Sequence, residues 1–156
     1  MSPSPHDFAS PLAALPSAGK LLGLDLGTKT IGVAISDGMR YSATPLETIR
    51  RSKFTADAER LKLLIADNRA VGIVLGLPLN MDGSEGPRAQ STRAFARNLS
   101  RLIEIPIVFW DERLSTSAVT RTLIEADVRR DKRAEVVDKL AASYILQGAL
   151  ERLRHA

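Results

Sequence analysis

The chain of 156 residues contains no cysteine and only two histidines. The absence of cysteine excludes disulfide bonds, thiolate zinc sites, iron–sulfur clusters and a thiol nucleophile. The two histidines, His6 and His155, lie near opposite chain ends, where packing is usually loose. A Ser-His-Asp triad or a histidine-rich metal site therefore lacks a base or ligand. Any catalysis must depend on carboxylates, hydroxyl groups, lysine or arginine.

Long apolar runs are also missing from the sequence, and none approaches the roughly 18 residues that a membrane span needs. The first 19 residues have neither the basic nor the continuous apolar segment of a secretory signal, so we expect a cytoplasmic protein. Their proline, serine and alanine content predicts a flexible arm over 1–19, followed by a single domain over 20–156. The formal net charge of +4 permits a nucleic-acid partner without requiring one.

Alternating short apolar runs and helical periodicities predict an α/β protein. The predicted strands cover about 21–26, 31–36, 43–49, 71–77 and 106–110, and the predicted helices about 54–68, 87–104, 115–126 and 134–152. This order predicts a five-stranded mixed sheet, with three antiparallel strands followed by parallel βα units, flanked by helices.

Asp25 is a charge at the carboxyl end of an apolar strand, between Gly23 and Gly27. Ligands in such sheets gather at the carboxyl ends of strands, so Asp25 is a candidate functional residue. The alternative is an aspartate that only begins a turn. Asp111 and Glu112 likewise follow an apolar strand. Because successive strand residues face opposite sides, we expect one of the two to face a shared site, with a salt bridge to Arg113 as the alternative.

Asp138 lies in the last predicted helix, with Ala141, Ala142 and Ile145 on its face. A carboxylate against a packed surface is costly unless it is paired, as in a salt bridge with an arginine, or bound to a cation. Together with the acids at the strand ends, and without histidine or cysteine, Asp138 favours a site for a hard cation such as Mg²⁺ or Mn²⁺.

Four motifs occur in a specific order and spacing. They are LDLGTKTIGVA at 24–34, GLPLNMDGS at 76–84, DERLST at 111–116 and DKLAA at 138–142. In these motifs the chain, from about 22 to 150, resembles the YqgF family, also called RuvX, of the RNase H-like superfamily.

The resemblance implies an RNase H-like fold and a metal-dependent nuclease that hydrolyses nucleic-acid phosphodiesters. It further implies maturation of the 5′ end of pre-16S ribosomal RNA, with Holliday-junction resolution as an older alternative. The catalytic, metal-binding acids of the family carry over to Asp25, Glu112 and Asp138, while the part of Asp111 stays open. The candidate nucleic-acid-binding residues are Lys29, Asn80, Arg93, Arg97, Arg113, Arg129 and Arg130.

Other readings of these residues remain open at this stage. The basic residues also suit an ordinary solvated surface, and the whole chain suits a non-catalytic RNA-binding factor in ribosome assembly. The DLGT motif resembles the phosphate loop of actin-like ATPases and sugar kinases, but those enzymes need two such domains. The sequence does not decide whether the substrate is RNA or DNA, whether the cleavage is endonucleolytic or exonucleolytic, or whether one or two metal ions bind. It does not decide the oligomeric state either.

Overall fold

A computed structural model of the protein describes residues 12–114 and 133–154, with side chains in the last helix from Lys139 onward. Its strands are β1 (Lys20–Leu26), β2 (Thr30–Ser36), β3 (Ala43–Arg50), β4 (Ala70–Leu77) and β5 (Ile107–Asp111). Its helices are α1 (Phe54–Asn68), α2 (Pro87–Ser100) and α3 (Arg133–Arg154), with short 3-10 turns at Leu12–Ala14 and Glu112–Leu114. The helix predicted over 115–126 lies outside the described residues.

The five strands form one mixed sheet in the order β3-β2-β1-β4-β5. β1 pairs with β2 and β2 with β3 in antiparallel orientation, whereas β1 with β4 and β4 with β5 are parallel. The predicted α/β class and mixed sheet are therefore confirmed. Because β1, β4 and β5 are parallel, their carboxyl ends meet at a single edge, which we call the carboxyl edge.

Helices cover both faces of the sheet. Alternate residues of β1 enter two separate cores, because strand side chains alternate between faces. Leu22 and Leu24 belong to the core that contains α1 and α2, whereas Leu21 belongs to the core that contains α3. In the described residues, no helix is long and apolar enough to cross a bilayer.

Helix α3 lies close against β1 because Gly23 leaves room for it. A Cβ built on Gly23 would lie 2.7 Å from Leu146 Cβ and 2.9 Å from the backbone oxygen of Ala142. Further along α3, Gln147 Oε1 accepts a hydrogen bond of 3.0 Å from the backbone N–H of Ala43. Since β3 begins at the edge where β1 also begins, α3 runs antiparallel to β1 and its first turns point towards the carboxyl edge.

Two details differ from the sequence prediction. Helix α2 ends at Ser100 rather than 104; the chain then turns towards Pro106, which disfavours a helical residue before it. The predicted flexible arm over 1–19 remains a prediction, but Leu15 within it is buried in the α3 core.

Candidate active site

Asp25 is a buried carboxylate at the carboxyl edge, with 4% of its surface exposed. Its neighbours Leu24 and Leu26 belong to the core under α1 and α2, so Asp25 faces the α3 side, as Gly23 does. Leu24 pairs with Leu75 across β1 and β4, which makes Gly76 the next neighbour of Asp25. The aspartate therefore borders the end of β4.

Glu112 approaches the same position from the end of β5. Trp110 faces α3, and the chain then enters the short 3-10 turn that begins at Glu112. A Cβ built on Gly76 would lie 3.1 Å from Glu112 Oε1 and 2.6 Å from Ile145 Cδ1. The structure thus brings Asp25 and Glu112 to two sides of Gly76, on the face of the sheet that α3 covers.

Asp111 has different surroundings, because it points to the other face of β5. Its Oδ1 accepts the backbone N–H of Arg113 at 2.9 Å, and its Oδ2 accepts Arg113 Nη2 at 2.7 Å. The hydrogen bond to Asp111 raises the pKa of the Arg113 guanidinium. The salt bridge left open as an alternative is therefore present, and the Glu112 side chain is the one beside Gly76.

Asp138 lies in the first turns of α3, one helical turn before Ala142. Ala142 lies against Gly23, two residues before Asp25. Among the described side chains, which exclude that of Asp138, no group of three acidic or histidine residues could hold a metal ion. Two of the three predicted acids therefore lie together, and the third belongs to a helix whose first turns point to the same edge.

The donor set fits a hard divalent cation. Asp25 and Glu112 supply only carboxylate oxygens, the ligands that Mg²⁺ and Mn²⁺ prefer. Because Gly76 has no side chain, Glu112 can lie close to the backbone of β4 beside Asp25. Asp25 is also too deeply buried to be an ordinary solvated surface charge.

The loop after β4 is an ordered turn fastened to the end of β5. Asp82 Oδ1 accepts the hydroxyl of Ser84 at 2.6 Å and its backbone N–H at 2.9 Å, and these bonds lower the pKa of Asp82. Asn80 Nδ2 donates to the same Ser84 hydroxyl. Arg113 Nη1 donates to the backbone oxygen of Met81 at 3.1 Å. Asn80 is therefore exposed on a loop that Arg113 attaches to the carboxyl edge.

The other predicted nucleic-acid-binding residues differ in their exposure and in their partners. Lys29 is exposed in the turn between β1 and β2, and Arg97 is exposed on α2. Arg93, in contrast, pairs with Glu85 at 2.8 Å and places its guanidinium 4.9 Å from the centroid of the Phe109 ring. Arg129 and Arg130 lie outside the described residues.

Sequence reasoning missed two arginines near the end of β1. Arg51 Nη1 donates to the backbone oxygen of Gly27 at 2.6 Å, and Arg88 Nη2 to that of Leu26 at 3.4 Å. They come from the β3–α1 loop and from α2, so no linear motif joins them. The sequence feature that could have pointed to Arg88 is its position directly after Pro87, at the start of a predicted helix.

Solved structures with a similar fold include two Holliday junction resolvases. RuvC of T. thermophilus in complex with a Holliday junction substrate is 12% identical, with 88% of this chain and 98% of that chain covered at a TM-score of 0.55. The yeast mitochondrial Holliday junction resolvase Ydc2 is 10% identical, with 95% and 86% covered at a TM-score of 0.52. These similarities establish an RNase H-like fold.

Residues 19–152 match the family described as "RuvX: Holliday junction resolvase". The chain belongs to the RuvX family. Relatives named "Putative pre-16S rRNA nuclease" include one from Cereibacter sphaeroides, 70% identical over 91% of this chain and 89% of the relative. A second, from Paracoccus denitrificans, is 68% identical over 90% and 89%. A third, from Rhodobacter capsulatus, is 63% identical over 98% and 94%.

Proposed function

We propose that this protein is a metal-dependent nuclease that hydrolyses nucleic-acid phosphodiester bonds, acting in the cytoplasm on the 5′ end of pre-16S ribosomal RNA. The observation that carries the proposal is the pair of carboxylates, Asp25 and Glu112, on two sides of Gly76. The RNA substrate is supported by relatives 63–70% identical that bear the name of a pre-16S rRNA nuclease.

Asp25, Glu112 and Asp138 would hold the divalent cation, Mg²⁺ or Mn²⁺. When bound, such a cation lowers the pKa of an attacking water and offsets negative charge that develops on the phosphate. Asp25 is buried, with 4% of its surface exposed, at the carboxyl edge where the cation would bind. Basic and polar side chains would bind the nucleic-acid substrate. Those proposed contacts are Lys29, Asn80, Arg93, Arg97, Arg113, Arg129 and Arg130.

Resolution of Holliday junctions is the second candidate, favoured by the description of the family itself. Symmetric cleavage of a junction requires two active sites related by a two-fold axis, and therefore a dimer. A third candidate, from another functional class, is a non-catalytic RNA-binding factor in ribosome assembly. In that case the carboxylates would serve the fold alone.

The deciding experiment compares cleavage of a labelled pre-16S rRNA fragment and a labelled four-way DNA junction in Mg²⁺, Mn²⁺ and EDTA. We expect the RNA to be cut only with metal. Asp25→Asn should lower the rate by at least about a hundredfold, since it removes a charged ligand while keeping the shape of the side chain.

Asp67→Asn is the matched control, because Asp67 is exposed on α1 at the opposite edge of the sheet. It should cut at the wild-type rate, and the circular dichroism of both variants should match wild type. Cleavage of the junction alone would favour the resolvase. Equal cleavage by Asp25→Asn would contradict the site, and RNA binding with no cleavage by any form would favour the assembly factor.

A further inference from the structure

An open cavity of about 170 Å³ lies at the carboxyl edge, between the end of β1 and the start of α2. Its walls include Gly27, Thr28 and Pro87, and the side chains of Arg51, Arg88 and Ser91 line it. The cavity lies towards α2, whereas Asp25 faces α3. It is therefore separate from the carboxylate pair, although only one residue stands between Asp25 and Gly27 in the chain.

Two guanidinium groups are held at this cavity by backbone carbonyls rather than by carboxylates. Arg51 donates to Gly27 and Arg88 to Leu26, and Arg51 also lies 5.9 Å from the centroid of the Phe95 ring. Within residues 12–114 and 133–154, neither arginine forms a salt bridge. A guanidinium has five N–H donors, so each arginine keeps donors for a further acceptor.

The surrounding groups add positive potential and hydrogen-bond donors. Helix α2 begins at Pro87 without a side-chain cap and without an acidic residue in its first turn, and the Glu85 carboxylate just before it pairs with Arg93 at 2.8 Å. The hydroxyls of Thr28 and Ser91 lie at exposed positions in the cavity lining. Both arginines and both hydroxyls are groups that donate to phosphate oxygens.

We propose that this cavity binds a backbone phosphate of the nucleic-acid strand, adjacent to the phosphate that is cut. The proposal rests on the proposed nuclease function and assigns a substrate contact to Arg51, Arg88 and Ser91. A strand bound there crosses the carboxyl edge, with one phosphate towards α2 and the reacting phosphate beside Asp25 and Glu112. The fork of an arginine suits the paired oxygens of a phosphodiester.

The first test measures binding of a short, fluorescently labelled single-stranded RNA to the full chain in EDTA, where metal-dependent cleavage does not occur. Arg88→Gln should weaken binding roughly three- to tenfold. It should also reduce the dependence of log K on log salt by about 0.7, the value for one phosphate contact on a single strand. Arg88→Lys keeps the positive charge but loses the forked guanidinium, so its affinity for RNA should lie between those of wild type and Arg88→Gln.

The matched control is Arg152→Gln, which removes the same charge from an exposed position in the last turn of α3. It should leave the affinity unchanged. Ser91→Asp, which adds a negative charge to the cavity lining, should weaken binding strongly, whereas Ser91→Ala, which removes one neutral hydrogen bond, should weaken it less than Arg88→Gln does. Thermal unfolding of each variant shows whether the fold is kept.

The second test identifies the phosphate by neutralising single positions of the strand with methylphosphonate. For wild type, methylphosphonate at one position next to the cleavage site should lower the affinity. For Arg88→Gln, methylphosphonate at that position should have no effect, whereas at other contacted positions it should still lower the affinity. If the losses of affinity caused by Arg88→Gln and by methylphosphonate were additive at every position, the proposal would be overturned. The proposed nuclease function would not be affected by that result. Absence of nucleic-acid binding by wild type would overturn both the proposal and the proposed function.

Inorganic phosphate, titrated by calorimetry, distinguishes a strand phosphate from a free anion. Weak phosphate binding that RNA displaces supports the proposal. Tight phosphate binding that is lost in Arg88→Gln, together with unchanged RNA affinity, would identify a small-anion site and contradict the assignment to the strand.

Discussion

Asp111 and Glu112 are chain neighbours of the same charge with different partners. Asp111, 5% exposed, is held by Arg113, whereas Glu112 lies beside Gly76 of the neighbouring strand β4. Asp111 is the last residue of β5 and faces the side opposite to Trp110, whereas Glu112 already begins the 3-10 turn. One dipeptide thus supplies both a brace for the loop after β4 and a candidate metal ligand.

Arg113→Gln should therefore destabilise the protein through Asp111, which would stay buried without its charged partner. We expect a lower midpoint in urea unfolding than for the control Arg152→Gln. In the double variant Asp111→Asn/Arg113→Gln, the loss should be smaller than the sum of the single losses, because neither charge is then left alone. Additive losses would show that the two side chains are not coupled in the folded protein.

Residues at the ends of strands could be predicted from the sequence, whereas the arginine cavity could not. Asp25 interrupts an apolar run, so burial and charge conflict within a single segment and draw attention to it. Arg51 and Arg88 sit in ordinary polar segments, and only the tertiary fold brings both to the end of β1. The choice between Asp111 and Glu112 likewise needed the exact end of β5.

At the level of elements, the contact of α3 with β1 determines where the first turns of α3 lie relative to Asp25. That contact depends on small residues, with Gly23 in β1 and the buried Ala142 and Ala149 in α3. The sequence of elements along the chain and most of their boundaries followed from periodicity, and α1 has its predicted bounds. Only the alanines of α3 indicated in the sequence that this helix lies close to the sheet. Periodicity predicts which side of a helix is buried, but it does not predict the distance between helix and sheet.

Gly23→Ala should destabilise the protein by about 2 kcal/mol, in the range for overpacked cores. The new Cβ would meet Leu146 Cβ and the backbone oxygen of Ala142, neither of which can move without the helix. Gly38→Ala is the matched control, since a Cβ there would have no heavy atom within 4 Å. Urea unfolding measures both, and equal stability of the two variants would show that α3 has room to shift.

At the scale of the whole molecule, the two edges of the sheet carry different features. The carboxyl edge holds the carboxylates, the loop after β4 and the arginine cavity. The opposite edge holds the turn between β2 and β3, where Asp37 Oδ1 accepts the backbone N–H groups of Tyr41 and Ser42 at 2.8 and 2.9 Å. Arg40, with a φ of 61°, completes that turn. Stability gained at this turn should therefore be separable from catalysis.

Asp37→Asn tests that separation through pH. The hydrogen bond from the Ser42 backbone N–H is the main cause of the lowered pKa of Asp37 in the folded protein. Its ionised form therefore stabilises the fold at neutral pH, and this contribution is lost as the pH falls through the folded pKa, below the ordinary carboxyl range. Wild type should exceed Asp37→Asn in urea midpoint at pH 7, and the gap should close as the pH falls through and below the ordinary carboxyl range.

Asp67→Asn controls for the loss of one acidic surface side chain. RNA cleavage at neutral pH and moderate temperature should be equal in wild type and Asp37→Asn, because the turn and the carboxylate pair lie at opposite edges of the sheet. A stability gap that stays constant down to acid pH would show that the turn depends on hydrogen-bond geometry and not on charge. A large loss of cleavage in the folded variant would show instead that the two edges are coupled through the sheet, most directly along β2 and β1.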